Sequence, residues 1–451
     1  MTVSVEETAP AGTVSAVLGL LVGLAISGSS AVAVVLPAAA ADPGLDMSGA
    51  VSAWVLSGYA LMLAVFTPVF GRLADLLGLR RPIVAGVSVM ALGAAGSALA
   101  TNGSLLIAAR LVQGVGAASV TVLGAALISR LFDGPARATM LGRVAGLGAA
   151  ISALAPLLAG LLEGAVGWRP VVALPAIALF LLPLLLRLTP AERGEPGRFD
   201  LPGATYLIAS AAGAILLIQA PSNGAAIGFA GGLALVLGLP LLVRHVRAGG
   251  QFLPRAVVTS RAVILGATAA AGIPAAWFAL LVAVPGSLAD QQWSARQIGF
   301  ALLPAALAAL TAIWTSRPVI ARLGTDLTLL SAAGLAAVAL GTAALGEWSS
   351  SPALLMLSVA LVALAFGHGQ PAMMAHVGAV TPGELRGAAL GIATLVFLTG
   401  GSIGSALAGG LDGVAADWLT PALTALLPLG GVMAALVLRR SELGPAQPGH
   451  R

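Results

Sequence analysis

The strongest constraint on this chain is a succession of long apolar runs separated by short connections that carry its charges. The runs fall at residues 14–39, 51–70, 82–100, 104–128, 140–162, 170–188, 202–220, 225–243, 262–286, 298–316, 327–345, 352–375, 387–409 and 420–438. Each approaches the length of a bilayer-crossing helix, which needs about 20 mostly apolar residues. A backbone in hydrocarbon must satisfy its own hydrogen bonds, so such runs form helices or close into barrels. These runs are continuous rather than alternating, which disfavours an outer-membrane barrel, and they lack the polar face a soluble bundle turns to water. The expected fold class is an all-α polytopic membrane protein with 14 transmembrane helices.

Composition agrees: 59% of residues are hydrophobic and only 9% charged, against about a quarter charged in soluble domains. The absence of cysteine removes disulfides and thiolate metal sites, and four histidines scattered in sequence suggest no metal cluster. No phosphate-binding loop is present, which disfavours direct use of ATP. The pI near 11 points to no nucleic acid, because the arginines punctuate the helices instead of forming a footprint. A polar start bearing Glu6 and Glu7, with no arginine before the first run, fits a retained first helix better than a cleaved signal.

Arginine placement tests the helix count. Connections after even-numbered runs hold Arg72, Arg80, Arg81, Arg130, Arg137, Arg193, Arg198, Arg244, Arg247, Arg255, Arg261, Arg317, Arg322, Arg386, Arg439, Arg440 and Arg451. Connections after odd-numbered runs hold only Arg169 and Arg296, together with Asp42, Asp46, Asp290, Glu347, Asp412 and Asp417. Cytoplasmic loops carry the arginine excess, so both termini are expected in the cytoplasm. The junction at Pro221-Ser222-Asn223-Gly224 is short, and the longer connection from His245 to Arg261 is a plausible seam between two bundles.

Between the second and third runs stands Gly71-Arg72-Leu73-Ala74-Asp75-Leu76-Leu77-Gly78-Leu79-Arg80-Arg81, which reads as a tight charged loop. Its arginines can anchor topology and bind lipid phosphates. Alternatively Asp75 can accept from a neighbouring arginine or a helix amino end, making a latch that breaks as one side opens. Gly71 and Gly78 permit a turn or close approach. In the fourth run, Arg110 is costly unless it snorkels to the interface or faces protein or water, and Gln113 lies about one turn away. In the fifth, Pro156 and Gly160 suit a kink with a close neighbour.

These motifs resemble the major facilitator superfamily, and within it the fourteen-helix drug:proton antiporters. The hinge is similar to the signature between helices 2 and 3, although Leu76 and Leu79 stand where a basic residue is common. The run Arg110 to Ala117 is similar to the helix-four signature. Ala155-Pro156 through Gly160 resembles the antiporter motif, with Ala155 and Ala159 replacing glycines. Trp54 through Phe70, Gly167-Trp168-Arg169, Trp293 to Pro304, and Thr381 to Gly391 extend the resemblance over about residues 15 to 438. It implies two six-helix bundles, residues 14–188 and 262–438, with two inserted helices and a cytoplasmic connection in 189–261 and cytoplasmic tails at 1–13 and 439–451. Residues 321–326 would be a degenerate second copy of the hinge. It also implies that Arg110 organises proton coupling or cavity electrostatics, and that the hinge residues Gly71, Asp75, Gly78, Arg80 and Arg81, with Pro156 and Gly160, serve conformational change.

The family's multidrug members carry an aspartate in helix one; here Gly28 occupies that place, within Ile26-Ser27-Gly28-Ser29-Ser30. An exporter of lipophilic cations commonly uses such an acid, so cationic cargo is disfavoured. His368, flanked by Gly367, Gly369 and Pro371, is the best titratable group in a span, and also reads as a hydrogen-bonded packing residue. Tyr59, Gln113, Trp277, Phe278 and Gln370 are candidate cavity residues or ordinary packing. Such a surface suits an amphipathic molecule with little charge, or with an anionic group opposite Arg110. The leading expectation is a proton-coupled exporter of drugs, antibiotics or secondary metabolites in a bacterial-type plasma membrane. It would act as a monomer among lipids, not as an enzyme, without cofactor or metal. An uptake carrier on the same scaffold and a non-transporting sensor are the alternatives.

Overall fold

The computed structural model describes residues 11–47, 49–132, 134–191, 194, 198–218, 220, 224–250, 252–382, 385–411 and 416–442. The expectations for residues 1–10 and 443–451 of the tails, for Arg193 and Asp412, and for Pro221-Ser222-Asn223 lie outside the described residues.

Thirteen described stretches are long and apolar enough to cross a membrane, and one of them, Ala295–Trp348, holds two helices broken at Gly324 (φ 79°, ψ 168°). The resulting 14 helices are all-α. They are α1 (Ala11–Ala40), α2 (Gly49–Leu77), α3 (Arg80–Ala98), α4 (Gly103–Leu131), α5 (Gly134–Val166), α6 (Trp168–Leu188) and α7 (Leu201–Ile218). Then follow α8 (Ala225–Arg247), α9 (Arg261–Asp290), α10 (295–323), α11 (325–348), α12 (Pro352–Val380), α13 (Arg386–Leu411) and α14 (Leu419–Arg440). Short connections make sequential helices antiparallel. One end of the assembly therefore collects the arginine-bearing turns, and the other collects Asp42, Asp290, Glu347 and Asp417; these are the arginine-rich and acidic faces.

One expectation changes. The stretch from Gly71 to Leu77 is not a loop: α2 continues through it, and the turn is confined to Gly78 (φ 76°) and Leu79 before α3 starts at Arg80. Hydropathy marks where the bilayer ends, not where helical hydrogen bonding ends. Arg72 and Asp75, three apart on the helix, are compatible with one more turn. The site of a Gly71 Cβ meets no atom within 4 Å, so the turn belongs to Gly78 alone. The expected span at 170–188 is present as α6, which passes through a 3-10 segment at Leu174–Ile177 containing Pro175; proline removes an α-helical donor and favours this tightening.

Small residues set the helix contacts, as packing between helices in lipid requires. Gly19 and Gly23 of α1 face Leu147 and Ile151 of α5, and Gly116 of α4 meets the backbone of Met90 in α3. Gly400 and Gly404 of α13 likewise meet the carbonyls of Ala271 and Ala275 in α9. Helices α1 to α6 pack among themselves, α9 to α14 do the same, and α7 pairs with α8. The groups meet along α2 with α13 and α5 with α10, and α1 touches α9.

The buried core is divided unevenly. One apolar cluster joins Val32, Val35, Leu56, Leu106, Ala155 and Val171 to Val284, Ile298, Leu302 and much of the second group. Every member from the first group lies in the half near the acidic face. In the other half that group has its own cluster, including Leu18, Phe70, Ile83, Leu127 and Met140.

Candidate functional site

Arg110 lies seven residues into α4, about 10 Å along the helix, and is 0% exposed. Its Nε donates to the Val55 carbonyl of α2 (3.0 Å), Nη1 to Oε1 of Gln113 (2.6 Å) and Nη2 to the Gly28 carbonyl of α1 (2.6 Å). The guanidinium stacks 4.3 Å from the Tyr59 ring centroid, and the Tyr59 hydroxyl donates to the Ala25 carbonyl. Arg110, Gln113 and Tyr59 therefore form one constellation, which clasps α1, α2 and α4. All its named partners are neutral. Because a guanidinium only donates, the carbonyl oxygen of Gln113 must face it. The Gln113 Nε2 is left buried without a partner.

A Cβ on Gly28 would stand 3.2 Å from the Tyr59 hydroxyl and 3.3 Å from Gln113 Nε2. The backbone carbonyls of Gly28 and Val55 are functional groups that sequence reasoning missed. The pairing partners lie 82 and 55 residues away, and a backbone acceptor leaves no mark in side-chain chemistry.

His368 stands apart from that constellation, on α12 against α10. Its Nδ1 is 2.8 Å from the Leu364 carbonyl and its Nε2 is 3.0 Å from the Thr315 hydroxyl, which lies 2.9 Å from the Thr311 carbonyl. A carbonyl can only accept, so Nδ1 carries hydrogen. In the neutral ring Nε2 accepts from Thr315; in the imidazolium it donates to Thr315, which passes its own hydrogen to Thr311. Thr315, absent from the sequence reading, is thus the partner that differs between the two states. Gln370 is half-buried nearby in sequence, two residues on along α12.

The aromatic candidates lie elsewhere in the second group. Trp277 is buried and packs 5.8 Å from Phe366, which packs 5.4 Å from Phe397. Phe278 lies against Gly401 of α13. At the arginine-rich face, Asp75 is 56% exposed with its carboxylate 3.8 Å from Arg72, while Arg80 and Arg81 are exposed. Pro156 and Gly160 are buried where α5 meets α10: Gly160 faces the Ala295 carbonyl and the Pro156 carbonyl lies beside Gly299.

Two further polar junctions hold the ends of the helices. At the acidic face Asp42 accepts from Trp168 Nε1 and Arg169 Nη2, each at 3.2 Å, and Arg169 also donates to the carbonyls of Ala98 and Ala100. The Gly44 amide first, then Trp168 and Arg169, outweigh desolvation and hold the Asp42 carboxyl below its ordinary range. At the other face Asp200 accepts from the amides of Gly203 and Phe252 (3.0 Å each), and its carboxylate lies 2.7 Å from His245. Burial raises the Asp200 carboxyl, but His245 and the two amides together lower it overall. Only Trp168-Arg169 carried a sequence signal, as part of Gly167-Trp168-Arg169.

Known proteins extend these observations. The chain is 36% identical over 178 residues to multidrug resistance protein Stp of Mycobacterium tuberculosis, covering 38% of this chain and 33% of Stp. It is 34% identical over 199 residues to drug efflux pump JefA of the same organism, covering 43% of this chain and 39% of JefA. The match thus spans about a third of Stp and about two fifths of JefA. Cephamycin export protein CmcT of Amycolatopsis lactamdurans is 31% identical over 343 residues, 70% of this chain and 67% of CmcT. Residues 18–275 and 266–451 match the Major Facilitator Superfamily, through both helix groups and through the Arg110 clasp. The chain belongs to that superfamily, whose members are membrane transporters.

Proposed function

We propose that this protein is a secondary active exporter that exchanges protons for an amphipathic small molecule such as a drug, antibiotic or secondary metabolite. The observation that carries the reading is the uneven core. The two helix groups share their largest buried apolar cluster near the acidic face, whereas near the arginine-rich face the first group has a core of its own and joins the second through a small cluster of Ala64, Val69 and Leu395, an arrangement suited to alternating access. The groups are read as the two six-helix bundles, with α7 and α8 inserted between them. The arginine excess supports a cytoplasmic second face with both termini on that side. Cargo then enters from the cytoplasm or inner leaflet, and rocking of the bundles releases it outside.

His368 is the proton-carrying group in this reading, since its hydrogen-bond chain through Thr315 accommodates both charge states. Arg110 stays charged and sets the local field. Asp75 with Arg72, Gly78, Arg80 and Arg81 form the cytoplasmic latch, and Pro156 and Gly160 form the seam on which α5 moves against α10. The protein works as a monomer in a bacterial-type plasma membrane. The relatives' names, multidrug resistance, drug efflux and cephamycin export, favour outward movement.

The test is accumulation of a chemically varied drug panel in efflux-deficient cells expressing the chain, with and without a protonophore, and with Arg110→Ala. Lower accumulation of one compound class, restored by the protonophore and by the substitution, is the expected result. Accumulation that falls equally with the protonophore present would remove proton coupling.

A further inference from the structure

A guanidinium buried without a counter-charge is expensive, because neutral carbonyls recover only part of the hydration that a cation loses. Arg110 is wholly enclosed, and its named partners are two backbone carbonyls, one amide oxygen and an aromatic ring. Beside it the Gln113 Nε2 is a buried donor with nothing to donate to. Both groups converge on Gly28, which has no side chain; the position of its missing Cβ is 3.3 Å from Nε2. A cation and an idle donor aimed at one spot are the complement of a single carboxylate or similar oxyanion.

We propose that Arg110 and Gln113 form the receptor for an anionic group on the transported molecule, so that the cargo is an amphipathic carboxylate or a related anion. The inference rests on the transport reading given above and names its substrate class. In the enclosed arrangement the Gly28 carbonyl takes the Arg110 Nη2 bond. One oxygen of an incoming carboxylate takes over Nη2 and the other accepts from Gln113 Nε2, replacing a neutral acceptor by a charged one and satisfying the idle donor. The exchange removes the polar bond between α1 and α4. Helix α1 otherwise leans on α5, through Gly19 and Gly23, so anion binding releases the polar tie of α1 to α4 and leaves the Tyr59 bond to the Ala25 carbonyl as its tie to α2.

The test is binding by the purified full-length protein in detergent, with dansyl-aminoundecanoic acid and its methyl ester as matched probes. The expected result is that the acid binds at least about tenfold more tightly than the ester, the scale of a charge-assisted bond gained. Gly28→Ala, whose methyl fills the convergence point, and Gln113→Leu, which removes the donor, are each expected to bring the acid-to-ester affinity ratio close to one. Equal affinities in the wild type, no binding of the acid, or an acid preference retained in both variants overturns the proposal. Binding needs no gradient and has no direction, so this result is independent of whether the protein exports. Protonophore-sensitive efflux of an uncharged compound, with no preference for the acid, would leave the export reading standing and remove this one.

Discussion

Gly324, at the junction of α10 and α11, repeats the backbone φ of Gly78 at the junction of α2 and α3, 79° against 76°. In each half of the chain the second and third helices of the group are thus separated at a left-handed glycine, despite little likeness between the flanking residues. Arg80 and Arg81 follow the first glycine, whereas Thr325 and Asp326 follow the second. The Asp326 carboxylate lies 3.6 Å from His376 of α12. The backbone break recurs while the charges around it differ.

Gly324→Ala is expected to destabilise the protein by about 1–3 kcal/mol through backbone strain alone, since a Cβ there meets no atom within 4 Å. Gly334 in α11 has the same open surroundings but is an ordinary helical residue. Gly334→Ala is therefore expected to be neutral or to stabilise by about 0.5–1 kcal/mol. Thermal unfolding of both variants in detergent reads the contrast, and equal melting temperatures would contradict it.

Gly160→Leu places a branched side chain against the Ala295 backbone, where α5 closes on the first turn of α10. Overpacking of this kind typically costs about 1–3 kcal/mol, borne only when the acidic-face half is closed. The variant is expected to reach the membrane at normal levels, to lose transport and to leave that seam open. The chain has no cysteine, so a single thiol introduced at Arg296 reports the seam by its rate of maleimide labelling. An unchanged rate would refute the expectation.

The third prediction concerns Asp200. A carboxyl held below its ordinary 3.8 stays charged in the folded protein at a pH where the unfolded chain takes up a proton. Its contribution is therefore complete above about pH 5 and is lost as the pH falls through the depressed folded value. Asp200→Asn removes the charge at every pH. The bond to the Phe252 amide anchors the connection between α8 and α9, so the variant at pH 7 is expected to be cut faster by trypsin at Arg247 or Arg255. Wild-type protein, probed with the acid-active protease pepsin, is expected to open at the same connection below about pH 4. Protease resistance equal in Asp200→Asn and wild type would sink this account.

The helices were legible because each apolar run had to bury or immerse itself, and the alternation of arginine supplied an independent check on their number. Their ends were less legible. Leu73 to Leu77 reads as part of a charged loop, yet its backbone has every reason to go on making helical bonds beyond the hydrocarbon. Arg110 and Gln113 were legible as a pair, since an ion and an amide one turn apart stand out in an apolar helix. Their acceptors at Val55 and Gly28 were not, because any residue has a carbonyl and only the tertiary fold selects which ones meet a guanidinium. Thr315 was hidden for a related reason: most hydroxyls in these helices bond back to their own backbone, and nothing local marks the one that also reaches a histidine.

Concentration of the shared core in one half, with only the small cluster of Ala64, Val69 and Leu395 joining the groups in the other, makes each helix group a lever with its pivot near one surface. Helix α5 has 33 residues, so it is about 50 Å long, and its far end lies some tens of ångströms from the packing at Pro156 and Gly160. A tilt of about 10° over roughly 30 Å of that length displaces the far end by about 5 Å, the width of a flat organic ring. Contacts near the pivot then change by an ångström or less. Rotamer adjustments at the pivot suffice to gate a passage at the opposite end of the molecule, without any helix having to unfold or slide.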